Sequence, residues 1–440
     1  MVLSNFFSEK FLFNLLILFI PISYIIGNLV INLNVLLLII SVILIFRGKL
    51  IKLELNKIDK AIIFFFLYVI INGSYNNYFN FNFPDAPSQN LVLSKSIQYL
   101  RFLLLYLAIR FLLKENIINF KIIFVSFGLC SLFVSLDLFI QYIFGRDLFG
   151  FEGYGRRLAG PFGDEYVAGG YIQRFFIFLP FAFLILTKTK KKTLVLSLTL
   201  IFFLITTLAT FLSGNRVPLV LSFLILFITF FFEKDLRKVL ILLFLFLIIS
   251  FYLLIISNEN IFLHYENLVI KINEVFIYFE NKLFFNKHII LANTHIKEIE
   301  TGFLTWELNK YFGGGIKSFY FHCTNIDKDL LVKFIGSCNS HPHNYYIQIA
   351  AELGIFTFIF ISLFFVIVII NVIKKIYNWN KFNYERRVIS AFFIVFLAEI
   401  FPFKTTGSLF TTSNSTFLFI ILAFIVGLLE KENLKSYEKR

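Results

Sequence analysis

Long apolar runs separated by short polar connections make up most of the chain. At about 20 apolar residues per membrane crossing, the runs predict spans near 11–29, 31–46, 60–74, 95–113, 121–144, 169–187, 193–212, 217–232, 239–256, 345–372, 388–403 and 415–429. The expected fold is therefore an all-α polytopic membrane protein with about twelve transmembrane helices. The first run has no small-residue cleavage pattern and leads directly into the second, so it reads as a span rather than a cleaved signal. The connections alternate in character. Segments 47–60, 114–121, 188–192, 234–238, 374–387 and 431–440 all carry Lys or Arg, often clustered. The short connections between them are poorer in Lys and rich in Asn, Ser, Gly and Tyr. Lys/Arg-rich loops stay in the cytoplasm, so one register satisfies nearly every loop, with both termini inside.

Two connections on the predicted outer side are longer, at 146–168 and 257–344. Loops of this length in a compact fold are usually functional. The expected organisation is helices 1–9 over residues 1–256, with a Gly/Arg-rich periplasmic loop at 146–168. A large periplasmic loop follows at 257–344, between helices 9 and 10, and helices 10–12 with a cytoplasmic tail fill 345–440. Stretches 261–285 and 296–312 are amphipathic and predict helices lying against the membrane face.

Composition agrees with this pattern. The chain is 58% hydrophobic and only 15% charged, with a mean hydropathy of +0.81. Soluble domains carry about a quarter charged residues, so lipid must solvate most of this surface. The net charge of +14 is informative through its distribution over the inner loops, and no nucleic-acid partner is predicted. Cys130 lies inside an apolar run. Cys323 and Cys338 share the large loop and could pair if it faces an oxidising compartment.

Basic residues on the outer side run against the positive-inside trend. Arg156 and Arg157 sit in the Gly-rich loop, followed by Asp164 and Glu165. Arg216 sits in the turn Ser213-Gly214-Asn215-Arg216. The guanidinium fork suits phosphate oxygens, and glycines let the backbone approach an anion closely. The competing role is snorkelling to lipid headgroups. The sharpest segment is Ser340-His341-Pro342-His343-Asn344, continuing through Gln348 into Ala351-Glu352-Leu353-Gly354. Asn344, Gln348 and Glu352 are four apart and share one helix face, a polar stripe descending from two histidines into the membrane. Ionisable groups at that depth are functional by default, and histidine is the usual general base near neutral pH. His341 and His343, two apart around a proline, do not match a zinc spacing, so no metal is predicted.

These motifs resemble, in order, those of the O-antigen ligase and polymerase superfamily of bacterial membrane glycosyltransferases. The matching features are the loop 157–165, the turn 213–216, the stretch from Trp306-Glu307-Leu308 through Gly313-Gly314-Gly315 to Phe319, and His341-Pro342-His343-Asn344 with its Ala-Glu-Leu-Gly helix. The last is the most specific. Together they cover about the middle half of the chain.

The resemblance implies a glycan on a polyprenyl (undecaprenyl) diphosphate carrier at the periplasmic face of the inner membrane. Transfer would be to a sugar hydroxyl, on lipid A-core for a ligase or on a growing glycan for a polymerase. It implies Arg157 and Arg216 as diphosphate ligands, with Arg156 assisting, and His343 or His341 as the group acting on the acceptor hydroxyl, His343 being preferred. Asn344, Gln348, Glu352, Asp164 and Glu165 would support them. No cofactor is implied. The partners are the donor, the acceptor and membrane lipids. The arrangement favours ligase, because the large loop follows the ninth span and the step from Arg157 to Gly169 is one residue longer than the polymerase pattern. A secondary transporter would also suit twelve spans, but such carriers tend to show two similar halves, and none is evident.

Overall fold

A computed structural model describes residues 9–80, 91–153, 157–186, 192–280, 294–324, 326, 338–378, 384–405 and 407–430. The chain is all-helical. In order the helices are α1 (Glu9–Ile26), α2 (Asn28–Phe46), α3 (Lys57–Tyr75), α4 (Leu91–Lys114), α5 (Phe120–Phe144), α6 (Ala168–Phe175), α7 (Phe178–Leu186) and α8 (Lys192–Leu212). They continue as α9 (Arg216–Phe232), α10 (Arg237–Ser257), α11 (Glu259–Glu280), α12 (Thr294–Leu308), α13 (Phe319–Thr324), α14 (Tyr345–Asn378), α15 (Tyr384–Glu399) and α16 (Thr412–Glu430).

Among the described residues, 10 segments are long and apolar enough to cross a membrane. The two remaining sequence-predicted spans are helices as well, α9 with 17 residues and α15 with 16. The sixth span, Ala168–Leu186, is α6 and α7 joined by a turn. Local signals set several boundaries. Asn56 caps α3 in a reciprocal box with Asp59, Asn119 caps α5, and α5 stops at Gly145 in the left-handed conformation.

Two ends of the bundle differ in chemistry. At one end Asp59 accepts from Arg110 Nε at 2.9 Å and Nη2 at 3.0 Å, and Arg110 also reaches Glu430 at 2.6 Å. Arg387 meets Asp235 at 2.6 Å and the Leu184 carbonyl at 2.6 Å, while Lys375 caps the Leu429 carbonyl at 3.1 Å. This end gathers the Lys/Arg-rich connections. The opposite end carries the 146–168 loop, the helices α11 to α13, and the connection between α15 and α16.

α14 is broken where it leaves that opposite end. Gly354 has φ 80° and ψ 171°. A Cβ there would lie 2.1 Å from the Tyr311 carbonyl oxygen, so only glycine fits. The backbone groups freed by the break find partners: Ile355 N–H donates to Lys310 O at 2.9 Å, Gly315 N–H to Glu352 O at 2.7 Å, and Tyr68 Oη to Leu353 O at 2.9 Å. A helix break at membrane depth is tolerated when neighbours satisfy it in this way.

Candidate active site

Asn344 starts α14 as its cap. Its Oδ1 accepts from the backbone N–H groups of Tyr346 at 3.0 Å and Ile347 at 3.2 Å. Its Nδ2 donates to the Pro402 carbonyl at 2.7 Å, which fastens the cap to the α15–α16 connection. One residue earlier, His343 has φ 52°, uncommon for a residue with a side chain. Its Nε2 stands 3.6 Å from Glu298 Oε1 on α12, and the same oxygen accepts from Asn339 Nδ2 at 3.0 Å.

The His341 ring lies 4.2 Å from that of His343. Ser340 Oγ is 2.8 Å from His341 Nδ1, and His341 Nε2 is buried with no hydrogen-bond partner among the described residues. Burial, reinforced by the charges of His343 and Lys317, pushes the His341 imidazole down to about 4. Its folded-state pKa is lowered, so it stays neutral above that pH. His341→Gln should therefore leave the shape of the pH–rate profile between about pH 5 and 8, the ordinary histidine window, as in the wild type. A displaced acid limb in that variant would contradict this.

Below the cap the stripe turns inward, with Asn344, Gln348 and Glu352 all buried. Gln348 Nε2 donates to Ser408 Oγ at 2.8 Å and its Oε1 accepts from Leu409 N–H at 3.0 Å. Glu352 Oε2 accepts from the Lys317 backbone N–H at 3.0 Å. The stripe thus joins the α15–α16 connection to the glycine-rich segment before α13.

A second buried network lies beside the first. Glu399 Oε1 accepts from Tyr345 Oη at 2.8 Å, Arg174 Nη2 at 2.9 Å and Lys404 Nζ at 2.7 Å. The Lys404 ammonium is pushed down to about 8 by burial, against the pull of Glu399. Removing one partner of a buried ion pair costs about 3–5 kcal/mol because a bare charge remains. Glu399→Ala strands two cations, so its unfolding midpoint in detergent should drop sharply, with Glu399→Gln intermediate. An unshifted midpoint in the alanine variant would rule this out.

The arginine-bearing segments approach the histidine cap through α6. Leu158 N–H, next to exposed Arg157, donates to Ser213 O at 3.4 Å. Gly169 packs so tightly on the same turn that a Cβ would lie 2.5 Å from Ser213 Oγ. Arg174 follows five residues later on α6, roughly 7.5 Å along the axis, and there meets Glu399. One short helix therefore braces the 213–216 turn and the histidine cap together.

Arg216 is already engaged. Its Nε donates to His264 Nε2 at 3.2 Å and its Nη2 to the His264 carbonyl. The Arg157 guanidinium lies over the Tyr166 ring, 5.8 Å from its centre. Asp164 and Glu165 stand exposed on the loop. Arg156 lies outside the described residues.

Several residues of this region were not singled out from the sequence. Glu298 and His264 are spaced far from the motifs they serve. Lys404 lies in the α15–α16 connection, where its only signal is a basic residue in a lysine-poor segment. Arg174 and Glu399 are charges within apolar runs of the sequence, but nothing in their spacing gives the pairing. Cys323 and Cys338 form a disulfide, with Cα atoms 5.6 Å apart.

The polar turn after α8, the glycine-rich segment and the histidine cap all fall within residues 175–362, which match the family model described as O-Antigen ligase. The 146–168 loop precedes the match. No curated protein matches the chain. Through residues 175–362, rather less than half of its length, the chain is similar to the O-antigen ligase family.

Proposed function

We propose that the chain moves a glycan from a polyprenyl diphosphate carrier to a sugar hydroxyl of lipid A-core, and so acts as an O-antigen ligase at the periplasmic face of the bacterial inner membrane. The observation that carries this reading is the bracing by α6, which ties an arginine turn and a histidine cap to one rigid piece. A diphosphate leaving group needs cations and an incoming hydroxyl needs a base, and each must be held in register with the other. The disulfide in the large loop supports an oxidising side for that end, as do the basic connections gathered at the other.

In this scheme Arg157 and Arg216, with Arg156 assisting, hold the diphosphate and meet its growing negative charge as the anomeric C–O bond breaks. His343 takes the proton of the acceptor hydroxyl, and Glu298 stabilises the resulting imidazolium. His341 orients the acceptor through Nε2. Gln348 and Glu352 fix the helix that carries both histidines. Direct displacement inverts the anomeric centre. Arginine performs the charge neutralisation, so the scheme requires no metal.

A deletion strain examined by lipopolysaccharide gel tests the reading. Loss of a ligase leaves core without attached glycan, while polymerised glycan remains on the lipid carrier. A ladder collapsed to core bearing one repeat unit would instead assign a polymerase, acting on a growing glycan. An unchanged gel would remove both.

A further inference from the structure

The Cys323–Cys338 disulfide closes just before the histidine cap. Cys323 is fully buried on α13, where it packs with Phe319 and with Ala351 of α14, and Leu304 and Trp306 of α12 and Cys338 pack against the same cluster. The bond therefore ties the segment entering the cap to α12, α13 and the start of α14. Asn339 follows Cys338 directly. Its Nδ2 donates to Glu298 Oε1 at 3.0 Å, the oxygen that stands 3.6 Å from His343 Nε2.

A separate contact brings α12 against the cap. Gly302, one turn after Glu298, lies so close that a Cβ there would be 3.2 Å from Pro342 Cβ and 2.4 Å from Ile347 Cγ2. That packing sets how near the two backbones lie, but it does not aim a carboxylate, because a glutamate side chain can occupy several staggered rotamers. The Asn339 amide does aim it. Being neutral, it holds the carboxylate without cancelling the charge, which stays available to the imidazole. His343 itself sits at φ 52°, a conformation that persists in a residue with a side chain only where its surroundings impose it. Breaking the disulfide would release the residues just before that position to a wider set of backbone conformations.

We infer that the Cys323–Cys338 bond and Asn339 are positioning residues: the bond places Asn339, Asn339 aims Glu298, and Glu298 holds the His343 ring, so that glycan transfer requires the oxidised protein. Only the link to transfer rests on the reading above. A dithiol reverses the state at Cys338, the less buried sulfur. Its thiolate attacks the Cys338 sulfur, Cys323 leaves as a thiolate, and the second thiol of the reductant then displaces Cys338. The protein gains two electrons and two protons, and the reductant closes as a disulfide.

The test uses the full-length protein in nanodiscs, oxidised or reduced with a dithiol. The first readout is independent of activity: the rate at which diethyl pyrocarbonate modifies His343, followed by peptide mass spectrometry with His264 as internal reference. Reduction, or Cys323→Ser/Cys338→Ser, should raise the His343 rate several-fold and leave His264 unchanged. Asn339→Ala should do the same with the disulfide intact, and it carries the test if the cysteine variant does not fold. Asn339→Asp should exceed Asn339→Ala, because a second carboxylate then faces Glu298 where a donor had been. A merely structural role gives no such order.

The second readout is transfer, separated into kcat and KM. Reduction should lower kcat by about ten- to a hundredfold, up to the cost of roughly an ångström of misplacement, with donor KM little changed, and reoxidation should restore it. In Glu298→Gln the further loss on reduction should be much smaller. Unchanged His343 modification in the reduced, cysteine and Asn339 proteins would overturn the proposal, even if transfer fell. Modification that changes as expected while His343→Ala keeps full transfer would support the positioning and remove the catalytic reading instead.

Discussion

His343→Ala is expected to lower turnover by at least about a hundredfold, the low end of general-base contributions, while carrier-linked donor still binds. The geometry makes this more specific than a histidine deletion usually is. Glu298 Oε1 stands 3.6 Å from His343 Nε2 and would stabilise the imidazolium formed when the hydroxyl loses its proton. Glu298→Gln should therefore lower kcat with a much smaller effect on donor binding. His341→Ala removes a neutral neighbour with a partnerless Nε2, so its loss should appear mainly as weaker acceptor binding. Turnover measured with purified donor and acceptor, separated into kcat and KM, distinguishes these roles. An active His343→Ala beside a dead His341→Ala would move the base to the neighbouring position. Full activity in both would leave the segment a structural cap.

Arg216→Ala should reduce transfer by about 10²–10³-fold, the usual loss on removing one group that stabilises transition-state charge, with the protein still inserted. Arg157→Ala should follow the same pattern. Lysine at either position should rescue poorly, because a point charge replaces a planar fork. The contact between Arg216 and His264 offers an internal control. If Arg216 serves only to anchor α11, His264→Ala should be as defective as Arg216→Ala. If the guanidinium meets the diphosphate, His264→Ala should be the milder variant, since it disturbs only the orientation of the fork. Equal and full activity in both arginine variants would leave these residues as headgroup anchors.

Much of the architecture was legible because lipid imposes a simple rule: a crossing helix must be apolar along its length. Each of the twelve predicted runs corresponds to helix, and the errors are at edges and breaks. The turn between α6 and α7 was not visible, because Phe176 and Ile177 are as apolar as the residues around them. The start of α14 was legible because a polar cap, a proline and an i, i+4 stripe coincide there. Long-range partners were not. Nothing near Arg174 points to Glu399, some 225 residues away, and nothing near His343 points to Glu298. Sequence spacing reports neighbours on one helix, whereas burial of a charge is resolved by whichever helix packs opposite.

The break at Gly354 has a mechanical consequence. Spans tilt to match the thickness of the hydrocarbon layer, and a continuous α14 would carry every change of tilt directly to the histidine cap as the swing of a lever. With the helix interrupted, the short stub before Gly354 is held by the glycine-rich segment and the α15–α16 connection, so a change of tilt in the longer portion is not carried rigidly to the cap. The joint works as a decoupler, keeping the register of the histidine cap indifferent to the thickness of the bilayer in which the protein sits.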